Sequence, residues 1–178
     1  HRLRKLLGYH ESIQRSGSKI TLDSRYCWVD AWIFERRLSE ADAILQSTVN
    51  SKELQKAADL IEKALEYYKG PLFQSDDHMA ISLMHYLHHR FLQALQWLGD
   101  YRQERKEWKR AIALYETGLK IDGLAEPFYR GLMICNHRIG QKDKALAAYS
   151  RCKKALAEGL NTPPSTETEA LKNFLLNQ

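Results

Sequence analysis

The sequence predicts an all-α fold of stacked helical hairpins, preceded by a short helix and a β-hairpin. The main observation is an internal repeat: RAIALYETGLK (residues 110–120) aligns with KALAAYSRCKK (residues 144–154), so that Ala145 follows Ala111 at an offset of thirty-four positions. A further copy, KAADLIEKALE (residues 56–66), places Ala57 at the same position of an earlier repeat. Because small residues recur where paired helices approach closely, and one hairpin cannot bury its apolar stripe alone, we expect the copies to stack.

The offset between Ala111 and Ala145 equals the period of tetratricopeptide repeats, each of which is a pair of helices. We therefore predict a tetratricopeptide-like α-α superhelix. Helical solenoids of this kind present extended surfaces to partners, so the repeat points to protein binding more directly than to catalysis.

Length and composition agree with a globular domain. The chain has 178 residues, of which 44% are apolar and 28% charged. No apolar run approaches the roughly 20 residues of a membrane span, so we expect no membrane association and a cytoplasmic location. The three cysteines lack CxxC spacing, which favours buried thiols in a reducing compartment over disulfides or a zinc site: Cys27, Cys135 and Cys152.

The basic charge is concentrated at the N-terminus. Residues 1–25 hold six Lys or Arg against two acids, which accounts for +4 of the total net charge of +5. Such a segment favours a polyanion as partner, with nucleic acid the first candidate. A solvated terminal arm is the alternative interpretation of the same charges.

The N-terminal elements are predicted from turn and capping residues and from the spacing of apolar residues. HRLRKLLG reads as the end of a helix that stops at Gly8, and ESIQRSGSKITLDS reads as a β-hairpin with its turn at residues 16–18. Asp30 is predicted to cap the next helix. Asn50 and Glu53 have the form of a capping box and open another helix, which we expect to run to about Tyr68.

The remaining sequence reads as helix interrupted by short breaks. After a break at residues 74–77, one long helix, or two with a joint near residues 99–100, runs to about residue 106. Further helices are predicted at residues 108–121, from Glu126-Pro127 to Gly140, and at residues 142–158. Thr166 and Glu169 have the form of a capping box for a terminal helix. Aromatic residues recur at helical spacing and are predicted to be core: Trp28, Trp32, Trp97, Trp108, Tyr115 and Tyr149.

Several segments resemble a known family. CWVDAWIFERRL (residues 27–38), YKGPLF (68–73), AIALYETGLKIDGLAEPFYRGLM (111–133) and AEGLNTPPSTETEAL (157–171) are similar, in order and spacing, to the bacterial transcriptional activator domain. This domain occurs in antibiotic-regulatory-protein-type and maltose-regulator-like activators. The resemblance covers residues 27–178. Residues 1–25 resemble the end of a winged-helix DNA-binding domain, with HRLRKLLG as the tail of a recognition helix and the hairpin as the wing.

The resemblance implies a regulatory and interaction domain of a DNA-binding transcription activator. DNA would be bound by a winged helix that lies mainly upstream in the full-length protein, with contributions here from basic side chains. The protein partner would be an adjacent domain, a second copy or the transcription machinery. The predicted DNA contacts are Arg2, Arg4, Lys5, Arg15 and Lys19.

The repeat register also predicts a partner groove. With the repeat alanines as the twentieth position of each unit, the groove-lining positions of the first helices are mostly polar, although ordinary solvated surface would look the same. The sharper hypothesis is that the groove receives a peptide or helix whose acidic groups pair with Arg130 and Arg138. The predicted groove residues are Gln93, Gln96, Asp100, Gln103, Arg130, Ile134, His137 and Arg138.

Other functions are less well supported by the sequence. His85, His88 and His89 share a helical face near His78, a spacing that can bind metal, but no general base accompanies them in the manner of HExxH. Nucleotide-binding glycine motifs and GxSxG are absent from the sequence, so we expect no enzyme and no cofactor. A general tetratricopeptide peptide-binding adaptor without a DNA-binding role is the alternative to the activator.

Overall fold

The structure is a computed structural model that describes residues 2–47, 50–70 and 78–177. It divides into two compact units, His1–Gly70 and Pro71–Gln178. The boundary predicted at residue 26 stays a prediction. A 3₁₀ turn at His10–Ser12 follows the first helix, and the regular elements are α1 (Arg2–Leu7), β1 (Ile13–Ser16), β2 (Lys19–Leu22), α2 (Asp30–Leu45), α3 (Ser51–Leu65), α4 (His78–Glu104), α5 (Trp108–Ile121), α6 (Glu126–Arg138), α7 (Lys142–Leu160) and α8 (Thr166–Leu176).

The first unit begins with the predicted helix and hairpin. Strands β1 and β2 are antiparallel, with Ile13 opposite Leu22 and Ser16 opposite Lys19. The turn is therefore one residue shorter than predicted, because Ser16 pairs within the ladder and leaves Gly17 and Ser18 between the strands. Glycine suits this turn because its φ is +61°, in the left-handed region.

Helices α2 and α3 form the helical hairpin of the first unit. Phe34, Leu38 and Ala41 are buried on α2 at spacings of four and three residues, as expected for one helix face. Burial of a Phe or Leu side chain contributes about 1.5–3 kcal/mol. On α3 the buried face consists of Ala57, Ala58, Ile61 and Ala64.

The capping predictions for this hairpin have different outcomes. The capping box of α3 is confirmed, because the Asn50 side chain accepts from the backbone of Glu53 while the Glu53 carboxylate accepts from Asn50 N. The predicted cap at Asp30 is wrong: Val29 is the N-cap, and Asp30 is the first helical residue. Its carboxylate accepts a hydrogen bond from the backbone of the adjacent Ala31 at 2.8 Å. An N-cap side chain would instead accept from the second or third residue of the helix. Helix α3 ends at Leu65, short of the end predicted near Tyr68.

Two tryptophans of the first unit are not core residues, contrary to the prediction. Trp28 is 68% exposed and Trp32 is 39% exposed. Trp28 lies before the start of α2, so the helical spacing that predicted its burial does not apply to it. Its ring centroid lies 5.8 Å from that of Tyr67. Trp32 lies two positions before Phe34 and therefore falls off the buried face of α2.

The second unit stacks helices α4 to α8. Helix α4 runs without interruption from His78 to Glu104, which rules out a joint at residues 99–100; the break predicted at residues 74–77 lies outside the described residues. The helices α4, α5, α6 and α7 pack in succession, and α8 packs on α6 and α7. Ala111 and Ala145, the residues that defined the repeat, are both buried.

Tyr115 occupies the centre of this stack. Its side chain is fully buried, and its ring lies against Gly99 of α4 and Gly131 of α6. A Cβ atom at either glycine would lie 2.4 Å from a ring carbon, which is closer than atoms can approach. Three helices can therefore meet around one aromatic ring because two of them carry glycine there.

Helix α8 is capped one residue earlier than predicted. Ser165 is the N-cap and its side chain accepts from Thr168 N, so the predicted cap at Thr166 is wrong. Serine and threonine are adjacent in this sequence and both favour N-cap positions, so pattern alone does not distinguish them.

Candidate partner-binding and nucleic-acid-binding residues

Three of the predicted groove residues line one cavity. Gln103 at the end of α4 meets Ile134 and Arg138 of α6 around a cavity of about 330 Å³. Its other lining residues are Glu104, Lys106 and Trp108. We call it the α4–α6 cavity. An aromatic ring and an aliphatic side chain thus lie beside basic and amide groups, a combination suited to an amphipathic peptide.

Gln96 and Asp100 belong to a hydrogen-bond network beside this cavity. Gln96 Nε2 donates to both carboxylate oxygens of Asp100, at 3.0 and 2.9 Å, and Tyr115 OH donates to Asp100 Oδ1 at 2.7 Å. Burial, followed by the hydrogen bond to Asp100, raises the pKa of Tyr115, so the phenol stays a neutral donor. Asp100 therefore joins α4 to α5, and Gln96 holds the Asp100 carboxylate from within α4.

Gln103 links α4 to α6. The thiol of Cys135 donates to Gln103 Oε1 at 3.4 Å, and Tyr115 OH lies 3.5 Å from the same oxygen. Burial, and secondarily the charge of Asp100, raise the pKa of Cys135 to about 12. The amide that lines the cavity is thus oriented by two buried groups.

Arg130 is engaged by helix α8. Its guanidinium donates to Thr168 Oγ1 at 3.2 Å and lies 3.3 Å from a carboxylate oxygen of Glu167. The side chain is 25% exposed. The acidic group that the sequence assigned to a partner is therefore supplied, in this structure, by the chain's own terminal helix.

The neighbouring Glu126 completes the attachment of α8. Its carboxylate accepts hydrogen bonds from Ser165 N at 3.0 Å, Ser165 Oγ at 2.8 Å and Thr168 Oγ1 at 2.6 Å. Burial acts to raise the pKa of Glu126, but these hydrogen bonds and the charge of Arg130 hold it below its ordinary value. We call Glu126, Arg130, Ser165 and Thr168 the α8 clasp.

The α8 clasp was missed in the sequence. Glu126 and Thr168 are 42 residues apart, and no periodicity connects them. The available signal was the serine-threonine pair at the start of α8, which indicated a cap but not its acidic partner.

The two other predicted groove residues do not line the α4–α6 cavity formed by the described residues: Gln93 is exposed on α4, and His137 is half-buried on α6.

The predicted DNA contacts all lie in the first unit. Arg2 and Lys5 are exposed on α1, whereas Arg4 donates to Ile13 O at 2.9 Å and so ties α1 to β1. Arg15 lies opposite Ile20 and Lys19 lies opposite Ser16, so adjacent rungs direct Arg15 and Lys19 to opposite faces of the hairpin. Both are exposed.

Asp23 fixes the end of the hairpin, a role that the sequence did not reveal. Its carboxylate accepts from the Arg25 guanidinium at 2.7 Å and from Gln14 Nε2 at 2.6 Å. Hydrogen bonds from the Arg25 side chain and backbone lower the pKa of Asp23 to about 2. Arg25 therefore balances an acid within the hairpin.

The histidines of α4 do not form a metal site with other described side chains. His78, His85 and His89 are exposed and His88 is half-buried, and no group of three potential ligands occurs within residues 2–47, 50–70 and 78–177.

Across those ranges no helix is both long and apolar enough to span a membrane. The cysteines there are all free thiols, of which Cys135 and Cys152 are buried as predicted and Cys27 is half-buried.

The stacked hairpins define a tetratricopeptide-like helical protein. The structure is similar, with a TM-score of 0.59, to the C-terminal TPR-containing domain of a Plasmodium falciparum protein described as FK506-binding. The similarity covers 86% of this chain and 95% of that one at 15% identity, and so concerns the fold. No curated protein sequence matches the chain. Residues 29–176 match the family Bacterial transcriptional activator domain, and the chain belongs to that family.

Proposed function

We propose that the chain is the regulatory and protein-interaction part of a DNA-binding bacterial transcription activator that works in the cytoplasm. The observation that carries this proposal is the family match over residues 29–176. We further propose that the chain catalyses no reaction. In support, burial keeps the Cys135 thiol protonated, and a protonated thiol is a poor nucleophile.

The proposed regulatory surface is the α4–α6 cavity. Trp108 and Ile134 supply apolar contact area, and Arg138 and Lys106 supply positive charge at its edge. Buried aromatic and arginine side chains carry a large share of binding energy in protein interfaces. The occupant is a segment of an adjacent domain, a second copy or the transcription machinery that presents an acidic group to Arg138.

The structure identifies Arg138 as the better of the two arginines for testing this surface by substitution. Arg130 and Arg138 were equivalent candidates in the sequence, but Arg130 belongs to the α8 clasp, so its replacement would also disturb folding. Arg138 is exposed, and Arg138→Glu reverses charge at the cavity without touching the clasp. Reporter transcription by the intact activator should fall in Arg138→Glu, with melting temperature and DNA affinity unchanged.

The matched control is Lys153→Glu, which makes the same charge reversal at an exposed site on α7. It should activate like the wild type. Full activation by Arg138→Glu, or an equal loss in both variants, would exclude the cavity as the regulatory surface.

The proposed DNA contribution of residues 1–25 has its own test. This chain should bind duplex DNA weakly, without sequence preference and with an affinity that falls as salt rises. In the intact activator, replacing Arg15 and Lys19 by Ala should reduce the slope of log affinity against log salt by up to about 2, since each phosphate contact contributes about 0.9. An unchanged slope would contradict the wing assignment.

A further inference from the structure

A second cavity lies among α5, α6 and α7. It has a volume of about 430 Å³ and does not include any of the eight predicted groove residues. Ile112, Ile139 and Ala147 contribute apolar surface, while Lys109 and Lys144 contribute positive charge. Its volume is in the range of sites that hold a small ligand or an anchoring side chain.

Two lining residues of this cavity differ from their counterparts in the preceding repeat. Asn136 and Gln141 of the α6–α7 hairpin stand at the repeat positions that Arg102 and Glu107 occupy in the α4–α5 hairpin. In the earlier hairpin, Arg102 is buried and its guanidinium pairs with Glu107 at 3.1 Å. In the later one both side chains are uncharged and both line the cavity, and Asn136 is also much shorter than the arginine that it replaces.

The charges around the cavity are unbalanced. Glu116 is the acidic residue of the lining, and it accepts two hydrogen bonds from Arg151, at 2.8 and 3.0 Å. These bonds, in spite of partial burial, lower the pKa of Glu116, so the carboxylate stays ionised and neutralises Arg151. Lys109 and Lys144 remain as exposed cations beside an apolar wall.

Asn136 adds a buried polar group to the wall. It is 7% exposed, and its Nδ2 donates to Leu132 O at 2.8 Å. An asparagine amide has a second N–H and a carbonyl oxygen, which this bond leaves for a ligand. A buried amide of this kind matches the N–H and C=O groups of a peptide backbone.

We propose that this cavity binds a glutamate side chain presented by an acidic segment of a partner protein. The carboxylate meets Lys109 and Lys144, the methylenes lie on Ile112 and Ile139, and the adjoining backbone meets the Asn136 amide. Glutamate fits better than aspartate because the extra methylene reaches across the apolar wall. The surface is distinct from the α4–α6 cavity and does not depend on the regulatory role proposed for Arg138.

The experiment is an NMR titration of the 178-residue chain with a short capped peptide of alternating glutamate and alanine. Amide shifts should change at Asn136, Ile139 and Lys144, and the matched glutamine-alanine peptide should leave them unchanged. Lys144→Glu should weaken binding about tenfold or more, because the reversal places a carboxylate beside the peptide carboxylate and like charges repel. Lys153→Glu, on the same helix but outside the cavity, should bind the peptide like the wild type.

A second variant alters these two lining residues of the cavity. Asn136→Arg combined with Gln141→Glu transfers the Arg102–Glu107 pair to the later hairpin, which should fill the cavity and abolish binding. If this variant does not fold, Lys109→Glu takes its place as a second rim substitution, with the same expected loss as Lys144→Glu. Equal binding of the glutamine peptide, or unchanged affinity in Lys144→Glu, would overturn the proposal. Free glutarate that binds more tightly than the peptide would also overturn it, because the site would then be one for a small organic acid.

Discussion

The hairpins α4–α5 and α6–α7 carry a tyrosine at the same repeat position, but the two rings have different surroundings. Tyr115 lies in a slot between two glycines, and its hydroxyl donates to Asp100 of its own hairpin. Tyr149, its counterpart in the next repeat, is half-buried and donates to Glu169 of α8. The ring of Tyr115 is thus enclosed by the next hairpin, whereas Tyr149 is covered by a single helix to which its hydroxyl donates a hydrogen bond.

The strongest test of the comparison is the glycine slot. Gly131→Ala should destabilise the chain by about 1–3 kcal/mol, because the added methyl would overlap the ring of Tyr115, which Gly99 confines from the other side. The measurement is the denaturant midpoint. Without the slot, Ala would be the better helix residue and would stabilise by about 0.5–1 kcal/mol.

Gly159→Ala in α7 is the matched control. The nearest atoms there belong to the flexible end of the exposed Leu124 side chain, which can move aside. Its midpoint should equal or exceed that of the wild type. A Gly131→Ala variant as stable as this control would show that Tyr115 is not confined.

The second test concerns the polar closure by α8. Glu126→Gln should cost about 1–3 kcal/mol, because the carboxylate accepts three hydrogen bonds in the α8 clasp. Relative to the wild type, amide hydrogen exchange should accelerate more in α8 than in α4. Equal acceleration throughout the stack would contradict a local closure.

The pH dependence of this closure has a defined sign. The pKa of Glu126 in the folded chain lies below its ordinary value of 4.5, so the carboxylate contributes its full stabilisation above that pH. The contribution is lost as pH falls through the lower, folded value. Melting temperatures measured downward from about pH 5 should therefore fall less steeply in Glu126→Gln than in the wild type.

A smaller effect separates the two tyrosines. Tyr115→Phe should cost about 1–2 kcal/mol, since it removes a buried donor from Asp100, whereas Tyr149→Phe should cost about 0.5–1 kcal/mol because water can reach Glu169. Both can be read from urea midpoints. A larger loss of stability in Tyr149→Phe than in Tyr115→Phe would contradict the conclusion that the Tyr115 hydrogen bond is the more deeply buried one.

The smallest expected effect is a gain in stability. Lys106 and Gly140 occupy equivalent turns, with φ of +61° and +78°, and the following residue donates to the fifth residue before it in each case. Lysine is strained in this region, so Lys106→Gly should stabilise by about 0.5–1 kcal/mol. Gly140→Ala should destabilise by a similar amount, and thermal melts of the pair should move in opposite directions.

The sequence was informative where interactions were local or repeated. The capping box at Asn50 and the burial of Ala111 and Ala145 follow from short motifs and the repeat register. The closure by Arg130 could not be predicted, because its partners on α8 are distant in the sequence and only the folded chain brings them together. The change from Arg102 to Asn136 is visible in the aligned repeats, but the cavity depends on side-chain volumes in three helices.

The buried thiols offer a way to time the opening of each closure. Cys135 lies against Gln103 of α4, and burial raises its pKa to about 12. Burial raises the pKa of Cys152 to about 11, with further influence from the charges of Glu126, Arg130 and Glu169 near α8. Because the thiolate is the nucleophile that attacks an alkylating reagent, each cysteine is protected until its cover separates. In a Cys27→Ser background, alkylation of Cys152 therefore reports opening of the packing around α7, and alkylation of Cys135 reports separation of α4 from α6.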